Sequence, residues 1–308
     1  RDVTRQICWL TDRGIETILV TSGAMAAGMK KIGLRQRPEE TPQRQAVAAV
    51  GQSGLIMEYE NAFDRYGIKV AQILLTSDGI SNRKRYLNAR NTLNTLLDWE
   101  VVPIINENDT VAVESIQFGD NDTLAAMITL LMDADLLVNL TDIEGLYDKD
   151  PRQHTDAKLI KEVTTVNQDL ERIATGIPGA LGTGGMLTKI KAARQLTAAG
   201  TPMVIADGTD DRIVQDLFEG RDRGTVVVPK AERLSSRKRW IGYAMKPEGA
   251  IHIDAGAAAA ILTGGKSLLP SGIQSVEGEF DAGAPITVHD RNGKSLGIGL
   301  VNYSAAAI

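Results

Sequence analysis

Gly182-Thr183-Gly184-Gly185-Met186-Leu187-Thr188-Lys189 runs a glycine-rich turn into an amphipathic stretch. The free N–H groups at such a helix start bind anionic oxygens, and Lys189, about one turn inside, adds a mobile positive charge. Together they suit a triphosphate. The competing reading is a flexible loop with a solvated lysine, although the glycines would weaken a loop that drew no function from them.

Two acidic clusters carry the next strongest signal. Asn106-Glu107-Asn108-Asp109 stands directly behind an apolar run, and Gly119-Asp120-Asn121-Asp122 opens a helical one. Asp122 alone could be a helix N-cap, worth about 1 kcal/mol. Two clusters at one edge of one sheet are harder to explain as caps, and suit an ammonium group, a magnesium-bound phosphate, or both. Thr21-Ser22-Gly23-Ala24 and Thr141-Asp142 also follow apolar runs. Gly23 allows a sharp turn and close backbone approach by a ligand, or simply a cap and turn. Thr141 and Asp142 stand where a nucleotide would be met, ahead of the turn-rich segment 145–151.

Other patterns carry no such chemistry. In Gly182-Thr183-Gly184 the third glycine of a dinucleotide fingerprint would fall at Leu187. Gly264-Gly265-Lys266-Ser267 lacks the first glycine of a P-loop, whose place is taken by Ala260, and reads as a turn. Cys8 lies in an amphipathic segment as a structural thiol.

These segments need a frame. Short apolar runs at 17–20, 70–75, 101–105, 136–140 and 203–205 alternate with helical stretches at 45–63, 91–99, 123–132 and 186–199. Continuous apolar strands separated by helices predict an α/β fold with an open, mainly parallel sheet and helices on both faces. Ligands in such folds sit beyond the carboxyl ends of the strands. After the polar stretch 229–236, short runs at 251–253, 273–276, 285–289 and 296–301 surround one helical segment, 255–262. Asp290-Arg291-Asn292-Gly293 is a hairpin signal. This predicts a small β-rich, barrel-like module.

Composition narrows the function classes. The chain of 308 residues has a net charge of −5, which gives no overall attraction for nucleic acid or anionic membrane. A single cysteine excludes a disulfide framework, and three histidines leave no zinc cluster. No apolar run approaches the roughly 20 residues of a membrane span. A reducing, cytoplasmic compartment is expected.

The segments Thr21–Ala24, Asn106–Asp109, Gly119–Asp122, Thr141-Asp142 and Thr183–Lys189 occur in the order found in the amino-acid kinase family, among its glutamate-phosphorylating members. The tail from Arg237-Lys238-Arg239-Trp240-Ile241 onward resembles a PUA domain, through Ser267-Leu268-Leu269-Pro270-Ser271-Gly272-Ile273 and Gly278-Glu279-Phe280. The resemblance covers nearly the whole chain. It implies a kinase domain at 1–228, a linker at 229–236 and a PUA domain at 237–308. It further implies that ATP, with Mg²⁺, phosphorylates the γ-carboxylate of L-glutamate in the first step of proline synthesis.

By the same resemblance, Ser22, Gly23, Asp109 and Asn121 match glutamate-binding positions. Thr141 and Asp142 match nucleotide-binding positions, as does the segment from Thr183 and Gly184 through Gly185, Met186, Leu187 and Thr188 to Lys189. Lys189 matches a catalytic lysine, and Asp122 an acidic residue that organises catalytic lysines. No protein ligand to a metal is implied. A homo-oligomer and feedback inhibition by proline are. Family members begin with a strand bearing a Lys-Leu-Gly-Thr-Ser-like phosphate loop and a second catalytic lysine, so that strand is expected ahead of Arg1, and a further stretch beyond Ile308. The alternatives are a family member acting on aspartate, N-acetylglutamate, a nucleotide or carbamate, and an RNA-binding regulator. Residues 240–308 carry 4 basic and 6 acidic side chains, a poor surface for phosphate backbones.

Overall fold

The computed structural model describes residues 2–76, 79–80, 82–112, 121–175, 185–229 and 247–308. The chain divides into two compact units, Arg1–Arg233 and Leu234–Ile308. Apart from Pro229, the expected linker lies outside the described residues.

In the first unit the alternation of apolar runs and helical stretches becomes α1 (Asp2–Thr11), β1 (Leu19–Val20), α2 (Ala24–Ile32), α3 (Thr41–Asp64), β2 (Val70–Leu75), α4 (Arg83–Asp98) and β3 (Val102–Glu107). It continues as α5 (Asn121–Met132), β4 (Leu137–Thr141), β5 (Glu162–Val163), α6 (Gln168–Thr175), α7 (Met186–Ala198), β6 (Met203–Asp207), α8 (Ile213–Phe218) and β7 (Thr225–Val227). The strands form two sheets, ordered β1-β3-β2 and β4-β6-β7-β5. All pairs are parallel except β6 with β7.

Helices cover both faces, as a parallel sheet requires. On one face of the first sheet, Val102 and Ile104 pack with Ile7 and Cys8 of α1 and Phe63 of α3. On one face of the second, Val204 and Ala206 pack with Leu10 of α1 and with Ile213 and Val214 of α8. Helix α1 therefore belongs to both cores. Cys8 is part of this packing, and burial, with Asp12 nearby, pushes its thiol up to about 11, which suits a structural role. The opposite faces carry α4 and α5 on β3, and α5 and α7 on β4 and β6.

Helices α2 and α3 touch through backbone. A Cβ added at Gly51 would lie 1.8 Å from the carbonyl oxygen of Ala24, and one at Gly28 would lie 1.9 Å from that of Val47. Neither obstacle is a side chain that can rotate away. Gly51→Ala is expected to destabilise the fold by roughly 1–3 kcal/mol, the usual scale of overpacking, seen as a lowered denaturant midpoint. An unchanged midpoint would mean that the two helices can part freely.

The second unit holds β8 (Gly249–Ile253), α9 (Ala255–Leu262), β9 (Ile273–Glu277), β10 (Pro285–His289) and β11 (Ser295–Leu300), with sheet order β11-β10-β8-β9. Among the described residues these strands do not close into a barrel. Asp254 caps α9 by accepting from the Ala257 N–H, and the Asp290–Gly293 segment turns β10 into antiparallel β11. In that turn the Asp290 carboxylate accepts from the backbone of Asn292 and Lys294. Gly264–Ser267 is an exposed turn behind α9, as expected. No helix among the described residues is long and apolar enough to cross a membrane.

Candidate functional site

The start of α5 organises the site. Asn121 and Asp122 are consecutive residues in its first turn, and their side chains enter different clusters. The carboxylate of Asp122 accepts from Asn139 Nδ2 at 2.7 Å and lies 2.6 Å from the Thr188 hydroxyl. Lys189 Nζ stands 3.0 and 3.2 Å from its two oxygens. Only 11% of each side chain of the Asp122–Lys189 pair is exposed. The Thr188 hydroxyl also lies 2.7 Å from the Gly185 carbonyl, and its single proton goes preferentially to the charged acceptor. An ammonium has three donors, so the two contacts to Asp122 leave Lys189 at least one N–H for a ligand.

The first turn of α7 puts Thr188 and Lys189 there because Met186 and Ile190 are anchored in the core. Gly185, at its N-cap, makes no side-chain cap. Of the expected phosphate turn, Gly182, Thr183 and Gly184 lie outside the described residues, as do Gly119 and Asp120.

Asn121 belongs to the other cluster. Its Nδ2 donates to Asn106 Oδ1 at 3.2 Å, and Asn106 Nδ2 donates to Gln52 Oε1 at 3.3 Å. Gln52 Nε2 in turn donates to the Glu107 carbonyl at 3.2 Å. The Oδ1 of Asn121 is enclosed without a donor among the described residues. Asp109, half-buried just behind β3, has its carboxyl pushed up by burial, against the opposing pull of its backbone N–H, Gln52 and Arg37.

The strand before this cluster is longer than the sequence suggests. Asn106 and Glu107 are buried and paired with Leu74 and Leu75 of β2, so they end β3 rather than begin the loop. Hydrogen-bond partners on α3 and α5 make their burial possible. Gln52, like Asn139, carries no signal in the sequence. It is one polar position in an alanine- and glycine-rich stretch of helix, 9% exposed, and it ties Asn106 to the backbone of Glu107.

Ser22 and Gly23 are exposed between β1 and α2, and Gly23 adopts φ 106°, a left-handed conformation that suits glycine. The preceding Thr21 is fixed through its side-chain contact with the Tyr59 hydroxyl at 2.8 Å. Thr141 is the last residue of β4, two positions beyond Asn139 and so on the same face of the strand. Its hydroxyl donates to Asp142 at 3.2 Å, and Asp142 also pairs with Arg152 at 2.7 Å.

Among the described residues no three acidic, histidine or cysteine side chains gather to hold a metal, and donors already surround the Asp122 carboxylate.

Comparison with known proteins adds the following. The model of the amino acid kinase family matches residues 1–207, and that of the PUA domain matches residues 249–308. A glutamate 5-kinase of Caldanaerobacter subterraneus subsp. tengcongensis is 50% identical over 306 residues, which is 99% of this chain and 82% of the relative. A glutamate 5-kinase of Syntrophus aciditrophicus is 48% identical over 303 residues, 98% of this chain and 79% of the relative.

Proposed function

The chain belongs to the amino acid kinase family, among its glutamate 5-kinases with a C-terminal PUA domain, and from that premise we propose that phosphoryl transfer takes place between the two clusters that meet at the start of α5. The reaction is the ATP-dependent phosphorylation of the γ-carboxylate of L-glutamate, the first step of proline biosynthesis. The observation that carries the placement is the enclosed Asp122–Lys189 pair, one residue away from Asn121.

A carboxylate must approach a phosphoryl group that is already anionic, so catalysis consists mainly of positioning and charge neutralisation. Asp109 pairs with the substrate's ammonium, and Asn121, tied to Asn106, completes that end of the site. Ser22 and Gly23 border the same end. The glutamate is thereby held with its far carboxylate toward Asp122 and Lys189. No protein base is required, because that carboxylate is ionised at neutral pH.

At the donor end, Thr141, Asp142 and the turn from Thr183 to Lys189 receive the nucleotide. Thr183 and Gly184 enter this assignment from the sequence. Lys189 stabilises the charge on the migrating phosphoryl group, and Asp122 holds its ammonium in place. Mg²⁺ carried on the nucleotide would neutralise part of the phosphate charge. Every other contribution assigned here comes from side chains and backbone.

The boundary between the kinase and PUA domains is placed within 229–236. The enzyme is assigned to the cytoplasm, where a single buried thiol is at home, as a homo-oligomer open to inhibition by proline. RNA binding by the C-terminal unit is expected to be weak, given that residues 240–308 carry 4 basic against 6 acidic side chains. The test is ADP release by the full-length protein with ATP and, separately, L-glutamate, L-aspartate, N-acetylglutamate, carbamate and UMP. Turnover confined to L-glutamate is expected, and turnover centred on another acceptor would overturn the reading.

A further inference from the structure

We propose that Asn139 is a positioning residue for phosphoryl transfer, fixing the carboxylate of Asp122 and, through it, the ammonium of Lys189. This rests on the placement of transfer at Lys189 given above. Strand β4 reads Leu-Val-Asn-Leu-Thr, and Asn139 is its most buried position, 8% exposed and opposite Ile205 of β6 in the register. Packing alone would favour an apolar side chain there. A buried amide is unfavourable unless its polar atoms find partners. Nδ2 finds one, Asp122 Oδ1 at 2.7 Å, whereas Oδ1 meets no donor among the described residues. The orientation follows from charge, since only the NH₂ end can face a carboxylate.

The consequence lies in how the carboxylate is held. Asn139 takes one oxygen of Asp122 and Thr188 the other, from β4 and α7 respectively. Pinned on both sides, the carboxylate cannot rotate to follow the ammonium, so Lys189 meets a counterion of fixed position. Two strong donors also draw charge away from the carboxylate, which leaves more of the ammonium's field for phosphoryl oxygens. Without the amide, Oδ1 would be left to Lys189 alone, and the ammonium would be drawn more tightly to Asp122.

The test compares the full-length wild type with Asn139→Leu, Asn139→Asp and Lys189→Ala. Asn139→Leu, which keeps the heavy-atom count and the branching at Cγ but is apolar, is expected to lower kcat about tenfold, the scale of one hydrogen bond to a charged group, with both KM values within about twofold and the variant still folded. Asn139→Asp places a second carboxyl against Asp122. The groups that meet it are Asp122 on α5 and Lys189 with uncharged Thr188 on α7, while β6 brings Ile205. Two carboxyls at this distance share a proton. Protonated, the new group donates as the amide does, and ionised it repels. The kcat of Asn139→Asp should therefore fall with rising pH along a limb that the wild type lacks. If Lys189→Ala is crippled while Asn139→Leu keeps its kcat within twofold, or if Asn139→Asp follows the wild-type pH profile, the positioning role is overturned. If Lys189→Ala keeps full kcat, the underlying placement of the reaction falls, and this role with it.

Discussion

Lys189→Ala is expected to lower kcat on the order of 10²–10³-fold, the usual effect of removing one electrostatic contact made in the transition state. The KM for L-glutamate should hardly move, because Asp109 and Asn121 lie in the other cluster. Lys189 is enclosed and held by Asp122, so no neighbouring surface lysine can swing in to replace it. Arginine should not restore the rate. Its broad planar guanidinium does not fit a place built for a compact ammonium between Asp122 and the first turn of α7. Steady-state kinetics of the folded variant decide the matter, and an unchanged kcat would remove Lys189 from the mechanism.

Asp109→Ala is expected to act on binding, raising the KM for L-glutamate on the order of 10²-fold while leaving that for ATP within about twofold. A half-buried ion pair that persists from ground state to transition state contributes to KM more than to kcat, and losing one partner has this scale of effect. The same residue gives a pH signature. Burial lifts the carboxyl of Asp109 above the ordinary aspartate range, and only the ionised form pairs with an ammonium. As pH falls through this raised value the pairing is lost, so the KM for L-glutamate should climb at a higher pH than an ordinary aspartate would give. Asp109→Asn should abolish that climb. Equal changes in both KM values on replacing Asp109 would assign it to the nucleotide or to the fold instead.

The parts of the site legible in the sequence were those whose chemistry is local. Glycines ahead of Lys189 and acidic pairs behind apolar runs announce charged ligands wherever the chain folds. That Asp122 and Lys189 act together followed only from the family resemblance, since their direct pairing depends on α5 and α7 packing side by side. Gln52 and Asn139 escaped notice for a related reason. Each is an uncharged polar residue with apolar neighbours on its N-terminal side, and its importance comes from a partner more than fifteen residues away. Asn106 and Glu107 were read as loop because polar residues usually end a strand, whereas here tertiary hydrogen bonds allow the strand to continue. The short strands β5 and β7 were missed as well. The pairing of β7 with both β5 and β6 supplies the stability that two or three residues cannot provide alone.

Asn121 and Asp122 are successive residues, so their Cα atoms are about 3.8 Å apart. On the proposed reading one side chain serves the acceptor and the other serves the donor. The spacing between the ammonium end and the phosphoryl end would then be set by adjoining residues of one helix rather than by a hinge. An acidic amino acid one methylene shorter, tethered by its ammonium at Asp109, would stop on the order of 1 Å short, and a shortfall of that size costs about 10²-fold in rate. Substrate length would then be measured from end to end, with no side chain needed to tell one carboxylate from another.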